Sequence, residues 1–425
     1  MTPTPTNFVD YEKFFDCVHC GLCLSFCPTY VELGTEMDSP RGRIATMRSL
    51  HEGKFPLDAE VVRHLDLCLG CRACETACPS GVHYGELIES ARAFVEEQYR
   101  RPLLDRLKRW TIDKVFPNPL GVRVFATMLK VGSALGLSRL ARVEKLPQQL
   151  RSWLSMVPER GSVSSATLLE HYPAIGEKRY TVAVLAGCVM PAVFGATNEA
   201  TVKVLRHNGC EVLVPKAQGC CGALLLHNGN KPDGLDRARQ TIDVFHGLNV
   251  DALIINAAGC GAMVKEYGEL FKDDPAYRDK AKQVATKAKD VTEFLGGIPL
   301  IPPSRAVNKK VTYHDACHLA HGQNVRAQPR ALLRAIPGLQ IAELQESDWC
   351  CGSAGTYNLT EPAMARRLLD KKVKNIEATE AELVVMGNPG CLMQIRAGLQ
   401  QRGLPIKAVH TVDLLAEAYE RVEQQ

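Results

Sequence analysis

The sequence contains no run of about 18 consecutive apolar residues, the length that a bilayer-spanning helix needs. Its most apolar stretch, TVAVLAGCVMPAVFGA from Thr181, is broken by Gly187, Cys188 and Pro191, so no membrane-crossing segment is expected. The N-terminus, MTPTPTNFVDYEKFFD, lacks a basic region followed by an apolar run, and a cytoplasmic location is expected in place of secretion. Net charge is only +4, too little to argue for nucleic acid as a partner. No G-x-G-x-x-G follows a strand-like run, so no flavin or nicotinamide site of that kind is expected on this chain.

What is present is a chain of 425 residues, 46% hydrophobic and 23% charged, the composition of a folded protein of two to four domains. It holds 17 cysteines. In a short secreted chain these would suggest a disulfide scaffold, but in a large cytosolic one they bind metal or carry redox chemistry. Charge is unevenly placed: between Arg100 and Arg160 there are thirteen Lys or Arg against the four acids Asp105, Asp113, Glu144 and Glu159.

Two runs of the form C-x2-C-x2-C-x3-C-P, at Cys17 to Pro28 and Cys68 to Pro79, occupy residues 1–100. Three cysteines on one tight loop reach three corners of a 4Fe-4S cube, and the fourth ligand comes from elsewhere. In two-cluster ferredoxins the last cysteine of each run serves the other cluster. This assigns Cys17, Cys20, Cys23 and Cys78 to one cluster, and Cys68, Cys71, Cys74 and Cys27 to the other. Structural zinc is the competing reading, although zinc sites close with two Cys pairs instead of a triplet and a distant Cys-Pro. Pro40-Arg41-Gly42-Arg43, between the runs, reads either as cations offsetting the cluster charge or as a solvated turn.

Residues 101–175 form a cysteine-free, basic connector with helical apolar spacing in Phe116 to Leu140 and turn signals at Pro117, Pro119, Pro147 and Pro158. Arg106, Lys108 and Arg109 near Trp110, with Arg123 and Lys130 among Val122, Phe125 and Met128, read as a surface for anionic lipid. A solvated helix face or a dock for an acidic partner competes with that reading.

The remainder is an internal repeat, residues 176–305 and 306–425. YTVAVLAGC188 matches KKVTYHDAC317, EVLVPKAQGCCG matches QIAELQESDWCCG, ALIINAAGC260 matches ELVVMGNPGC391, and VTEFL matches TVDLL. Alternating strand and helix signals argue for parallel α/β units with the cysteines at strand C-terminal ends. The expected fold class is therefore α+β multi-domain: a mainly helical two-cluster ferredoxin-like domain followed by two pseudo-symmetric α/β lobes.

Each half brings four thiols, Cys188, Cys220, Cys221 and Cys260, then Cys317, Cys350, Cys351 and Cys391. Two adjacent cysteines ligate together only if the chain bends sharply, which a glycine with positive φ after them permits. Four thiols suffice for one further cluster per half. A vicinal-thiol redox centre, a zinc site, and one half without a cluster remain open. His314, Asp315 and His318 read either as a proton relay or as hydrogen bonds near sulfur. Cys210 has no counterpart and reads as a small buried hydrophobe.

With CVHCGLCLSFCPTY, CLGCRACETACPSGV, GCGAMVKEYG and CCGSAGTY in place, the chain resembles the iron-sulfur subunits of glycolate oxidase, from Cys17 to about Leu415. The CCG repeat is shared with a wider family that includes the heterodisulfide reductase catalytic subunit and lactate-utilisation proteins. The resemblance implies an electron-transfer subunit, inactive alone, that takes electrons from flavin-bearing partners oxidising a 2-hydroxy acid and delivers them to a membrane quinone, with peripheral attachment to the inner face of the membrane. The endings Cys260-Gly-Ala-Met263 and Cys391-Leu-Met-Gln394 lack the C-x-x-C of heterodisulfide reductase and speak against its chemistry. YHDACHLAHGQ suits lactate-type relatives equally, so the hydroxy acid stays open. A binding module with clusters as structural staples is the alternative of a different class.

Overall fold

The computed structural model describes residues 7–137, 154, 157 and 163–419. No strand forms among the described residues up to 137. Ser39 accepts from the Gly42 N–H at 2.9 Å and Pro40 occupies the first turn, which starts the helix Pro40–His51. Asp58 accepts from the N–H groups of Glu60 and Val61 and starts the helix Ala59–Asp66. Apolar residues at helical spacing, Leu87, Ile88, Ala91 and Val95 of the helix Tyr84–Gln98, close on Met47, Leu65 and Phe14 to make the core of this head. Pro40 to Arg43 is thus the first turn of a helix with Arg43 buried, and the solvated-turn reading is corrected.

The connector continues as two helices, Leu103–Val115 and Pro119–Ala134, broken at the expected prolines and restarted by Asn118, which accepts from the Leu120 N–H at 2.9 Å. Val122, Ala126 and Leu129 are buried, the first two against Met190, Val193 and Phe194. Leu140, Pro147 and Pro158, with most of residues 138–162, lie outside the described residues.

The first sheet contains β1 (His171–Tyr172), β2 (Tyr180–Leu185), β3 (Cys210–Leu213), β4 (Ala252–Ile255) and β5 (Ala288–Asp290), in the order β1-β3-β2-β4-β5. The second contains β6 (Lys310–Tyr313), β7 (Gln340–Ala342), β8 (Leu383–Met386) and β9 (Lys407–His410), in the order β7-β6-β8-β9. All pairings are parallel except β1 with β3. Setting β1 aside, the two orders are the same, as the repeat in the sequence requires. The inner strands β4 and β8 are continuously apolar, as strands covered by helices on both faces are. The α+β multi-domain class holds.

Strands β5 and β9 have no signal in the sequence beyond the acid that follows them. The structure explains that acid. Glu293 and Asp413 each complete a capping box, with Asp290 and His410 as the N-caps of the helices Val291–Gly296 and Thr411–Ala418.

The head docks across both lobes. Arg92 donates to the His227 carbonyl at 3.0 Å and Arg72 pairs with Glu266 in the first lobe, while Tyr357 of the second donates to the Leu67 carbonyl at 2.9 Å. The lobes also join each other, through the Ala258 N–H to the Gly387 carbonyl at 3.2 Å and His410 Nε2 to the Asn256 carbonyl at 2.9 Å.

Candidate metal centres

The first cysteine run lies near the surface: Cys20 is exposed and Cys17 and Cys23 are half-buried. Cys78, from the second run, stands close enough to Cys17 to raise its thiol, after burial, which is the larger cause. Burial also pushes Cys23 up to about 11. Arg41 reaches over this loop, donating to the His19 carbonyl at 3.2 Å while paired with Glu36.

The second group lies deeper. Cys27, Cys68, Cys71 and Cys74 are all buried and line one small cavity together with Arg43 and Tyr84. Cys27 thus lines the cavity of the second run. Burial would raise the Cys68 thiol, but Arg43 and Arg92, the Tyr84 hydroxyl at 3.5 Å and the Gly70 N–H at 3.4 Å hold it below the usual thiol range. Burial pushes Cys71 and Cys74 well up. Four soft donors around a small cavity, with a buried guanidinium beside them, form a donor set that fits an iron-sulfur cluster.

Arg43 is 1% exposed, donates to the His64 carbonyl at 2.7 Å and to Thr29 Oγ1 at 3.0 Å, and pairs with Asp38, itself 2.8 Å from His64. Its place in a motif between the runs was legible. Tyr84, from a separate helix, carried no local signal.

In the lobes the loops and helix starts after the parallel strands gather eight of the nine remaining cysteines. Cys220 is in hydrogen-bonding contact with Cys188 and Cys221, and Cys221 with Cys260. In the second lobe Cys351 contacts Cys350 and Cys391, and Cys350 contacts Cys317. Gly222 and Gly352 both have φ of +83°, and a Cβ there would lie 2.5 Å from the Gly234 carbonyl oxygen or 2.4 Å from that of Ala365. The bend that brings two adjacent cysteines into one site therefore depends on glycine. Within each set one thiol, Cys220 or Cys351, is held well below its usual range by hydrogen bonds from neighbouring thiols, while Cys188 and Cys221, and Cys350 and Cys391, are pushed up. Four adjacent thiols, buried or half-buried, cannot all ionise without a cation among them, and the donor set fits a metal centre. Cys210 is fully buried in the core of the first sheet.

The histidines and acid around Cys317 diverge. Asp315 is bound by both terminal nitrogens of Arg330 at 2.7 Å. His318 Nε2 donates to the Gly70 carbonyl at 3.0 Å. His314, with Cys351 and Cys391, forms a buried group whose ligand atoms all lie within 4.8 Å of one another. Sequence reasoning missed His227, which pairs with Glu89 at 2.7 Å and stacks edge-on to His318 at 5.0 Å between ring centres. It also missed Lys372, buried beside Cys350 and Cys351. Neither belongs to a cysteine motif in the sequence: His227 follows Cys221 by six residues and Lys372 follows Cys351 by 21.

Residues 13–82 match the family described as 4Fe-4S dicluster domain, and residues 182–265 and 311–396 that described as Cysteine-rich domain, CCG. A protein of Bacillus subtilis (strain 168) named probable glycolate oxidase iron-sulfur subunit is 40% identical over 424 residues, 96% of this chain and 95% of that one. The glycolate oxidase iron-sulfur subunit of Escherichia coli (strain K12) is 38% identical over 378 residues, 88% of each chain. Lactate utilization protein A of Shouchella clausii (strain KSM-K16) is 33% identical over 235 residues, 55% of this chain and 98% of that one. In fold, the chain is similar to a hypothetical protein from Helicobacter pylori, with a TM-score of 0.55 at 10% identity, covering 98% of this chain and 76% of the other. With two cysteine-rich CCG repeats behind a 4Fe-4S dicluster head, and two such relatives matched over most of their length, the chain belongs to the family of glycolate oxidase iron-sulfur subunits.

Proposed function

We propose that this chain is the electron-carrying subunit of a complex whose flavin-bearing partners oxidise glycolate to glyoxylate, and that it passes the electrons to a membrane quinone. One observation carries the reading: Cys71 of the head and Cys317 of the second lobe belong to one packed cluster, close enough that a Cys317 thiolate would raise the Cys71 thiol further. A flavin takes up a pair of electrons from the hydroxy acid and gives them up one at a time, and iron-sulfur clusters, when bound, relay them singly to a separated acceptor. Cys17, Cys20, Cys23 and Cys78 would hold one 4Fe-4S cluster and Cys68, Cys71, Cys74 and Cys27 the other. The proximity of Cys78 to Cys17, and the shared cavity of Cys27 with the second run, support that division. Cys188, Cys220, Cys221 and Cys260, and Cys317, Cys350, Cys351 and Cys391, would hold further centres.

Arg43 offsets negative charge at the Cys68 site, and Tyr84 with Gly70 donates to its sulfur, which favours the reduced state there. The hydroxy acid is chosen by the partners, and the likeness to lactate utilization protein A keeps lactate as a second reading. Attachment to the membrane would be peripheral. No helix among the described residues is long and apolar enough to cross it, and the connector presents Leu103, Leu104, Leu107 and Trp110 to solvent.

The test uses the assembled complex with Cys351→Ser. Glycolate should still reduce the flavin while quinone reduction falls sharply. Quinone reduction equal to wild type would place the second lobe off the electron path. The chain alone should not reduce a dye with glycolate as donor.

A further inference from the structure

The second lobe carries a donor that the first lacks. Aligning Cys188 with Cys317 places His314 opposite Leu185, at the end of the first strand of each lobe. His314 is fully buried, and its backbone N–H is fixed to the Val385 carbonyl at 2.9 Å. Nδ1 lies 3.1 Å from the Ser347 carbonyl oxygen. A carbonyl only accepts, so Nδ1 carries the proton, and in a neutral imidazole the lone pair then sits on Nε2.

That Nε2 is buried and has no hydrogen-bond partner. A buried acceptor left without a partner costs stability, and what His314 faces is the sulfur site: it contacts Cys351, and the three ligand atoms of His314, Cys351 and Cys391 are mutually within 4.8 Å. An N–H on one ring nitrogen fixed by a backbone carbonyl, with the other nitrogen aimed at a metal site, is the arrangement by which proteins orient a ligating histidine. The Ser347 carbonyl is itself held, by Lys372 Nζ at 3.2 Å.

We propose that Nε2 of His314 is a ligand to an iron of the second-lobe centre, so that this centre is of mixed sulfur and nitrogen ligation while the first-lobe centre is all sulfur. The proposal rests on the reading that the second lobe binds an iron-sulfur cluster. Its consequence is electrostatic. A 4Fe-4S cube has four corners, so His314 takes a corner that one of the four second-lobe thiols would otherwise hold, and histidine in place of cysteine raises a cluster's reduction potential because a neutral imidazole brings less negative charge than a thiolate. Lys372, 1% exposed, acts in the same direction and stands where the first lobe has the buried Ile242. The second-lobe centre therefore holds an electron more tightly than the first, and the pseudo-symmetric pair has a direction.

Pulsed EPR on the anaerobically purified full chain, labelled with 15N-histidine, tests this without a variant. The signal that Cys351→Ser abolishes and Cys221→Ser retains should show the nitrogen coupling of a directly bound histidine in the wild type. His314→Leu, which installs the first-lobe residue, should remove that coupling and shift the midpoint potential of the signal downward. A Cys351-dependent signal with no histidine coupling in the wild type overturns the proposal and leaves the cluster reading intact. If Cys351→Ser changes neither iron content nor any signal, or the lobe holds zinc, the cluster reading fails and the ligand proposal with it.

Discussion

His318 Nε2 donates to the carbonyl oxygen of Gly70 at 3.0 Å, tying the residue after Cys317 to the loop between Cys68 and Cys71. A second bond of the same kind, from the Tyr357 hydroxyl to the Leu67 carbonyl at 2.9 Å, lies in the same interface, where Leu67, Leu69 and Ala73 pack on Cys350 and Leu368. Both bonds run from a ring side chain of the second lobe to backbone beside Cys68, so the spacing between head and second lobe is set by two rigid rings and the main chain they reach. Tyr357→Phe strands a buried carbonyl and should cost about 1–3 kcal/mol. Hydrogen exchange at Leu67 to Cys71 should accelerate with the iron content unchanged. Unaltered exchange would show that packing alone holds the interface.

Arg43 concerns the head itself. Arg43→Leu leaves Asp38 buried without its guanidinium, a loss of about 3–5 kcal/mol for a broken buried pair, and the Cys68 site should lose its iron. Arg43→Lys keeps the charge but not the fork that reaches His64, Thr29 and Asp38 together. Iron should then remain, with the midpoint potential of that cluster shifted. Full iron in Arg43→Leu would show that the cation is dispensable.

The division of the eight head cysteines makes a crossed prediction. Cys78→Ser should disturb the spectrum of the cluster held by the Cys17 run and spare the one held by its own neighbours. Cys27→Ser should do the reverse. Iron analysis of the anaerobic wild type should give at least eight iron per chain from these two sites, and zinc in their place would reject the assignment.

The legible part of this molecule is the part written locally. The C-x2-C-x2-C spacing, the CCG glycines with their positive φ, and the repeat of strand and helix all act over a few residues or repeat in register, and all could be read in order along the chain. What could not be read is supplied from far away in sequence. Tyr84 reaches Cys68, His227 pairs with Glu89, and Lys372 comes to Cys350 from a separate helix. Strands β5 and β9 are three and four residues long with Lys289 and Lys407 in them, so neither alternation nor a long apolar run marks them. The connector cations were read as one surface. Arg101 and Arg109 instead turn inward, each paired with Asp66, Glu96 and Asp105.

Acid sensitivity follows from His410. It is fully buried, accepts from the Val412 N–H through Nδ1 at 3.3 Å, and donates through Nε2 to Asn256 across the lobe interface. Burial holds its pKa below the usual histidine value. The folded protein therefore binds fewer protons than the unfolded chain once pH falls below about 6.5, and stability present above that pH is lost on further acidification. The urea midpoint should fall from pH about 7 to 5, and His410→Asn, which keeps a capping acceptor but cannot titrate, should flatten part of that slope. An identical slope in the variant would assign the sensitivity to other groups.

Membrane attachment is the prediction that the structure most reshapes. The helix Pro119–Ala134 and the residue after it place Leu120, Val124, Met128, Val131 and Leu135 in one exposed stripe, each at least 52% accessible, and the helix Leu103–Val115 exposes Leu103, Leu104, Leu107 and Trp110. These helices pack on each other, with Phe116 edge-on to Phe125. Apolar exposure on this scale in two neighbouring helices marks an interaction surface. Arg106 and Arg123 remain exposed beside the stripes, and Lys130 reaches Ser165. Each large apolar side chain inserted into lipid contributes roughly 1.5–3 kcal/mol, against about 1 kcal/mol per cation near an anionic surface. Removing one apolar residue should therefore weaken vesicle binding about ten-fold or more, and neutralising one cation by less. Pelleting with anionic vesicles should fall after Trp110→Ser or Met128→Asp, and fall less after Arg123→Gln. High salt should reduce the attachment without abolishing it, because screening acts on the cations and not on the apolar contacts. Attachment that disappears in salt but survives both apolar substitutions would assign it to charge, and attachment unchanged by all three variants would place the membrane contact elsewhere in the complex.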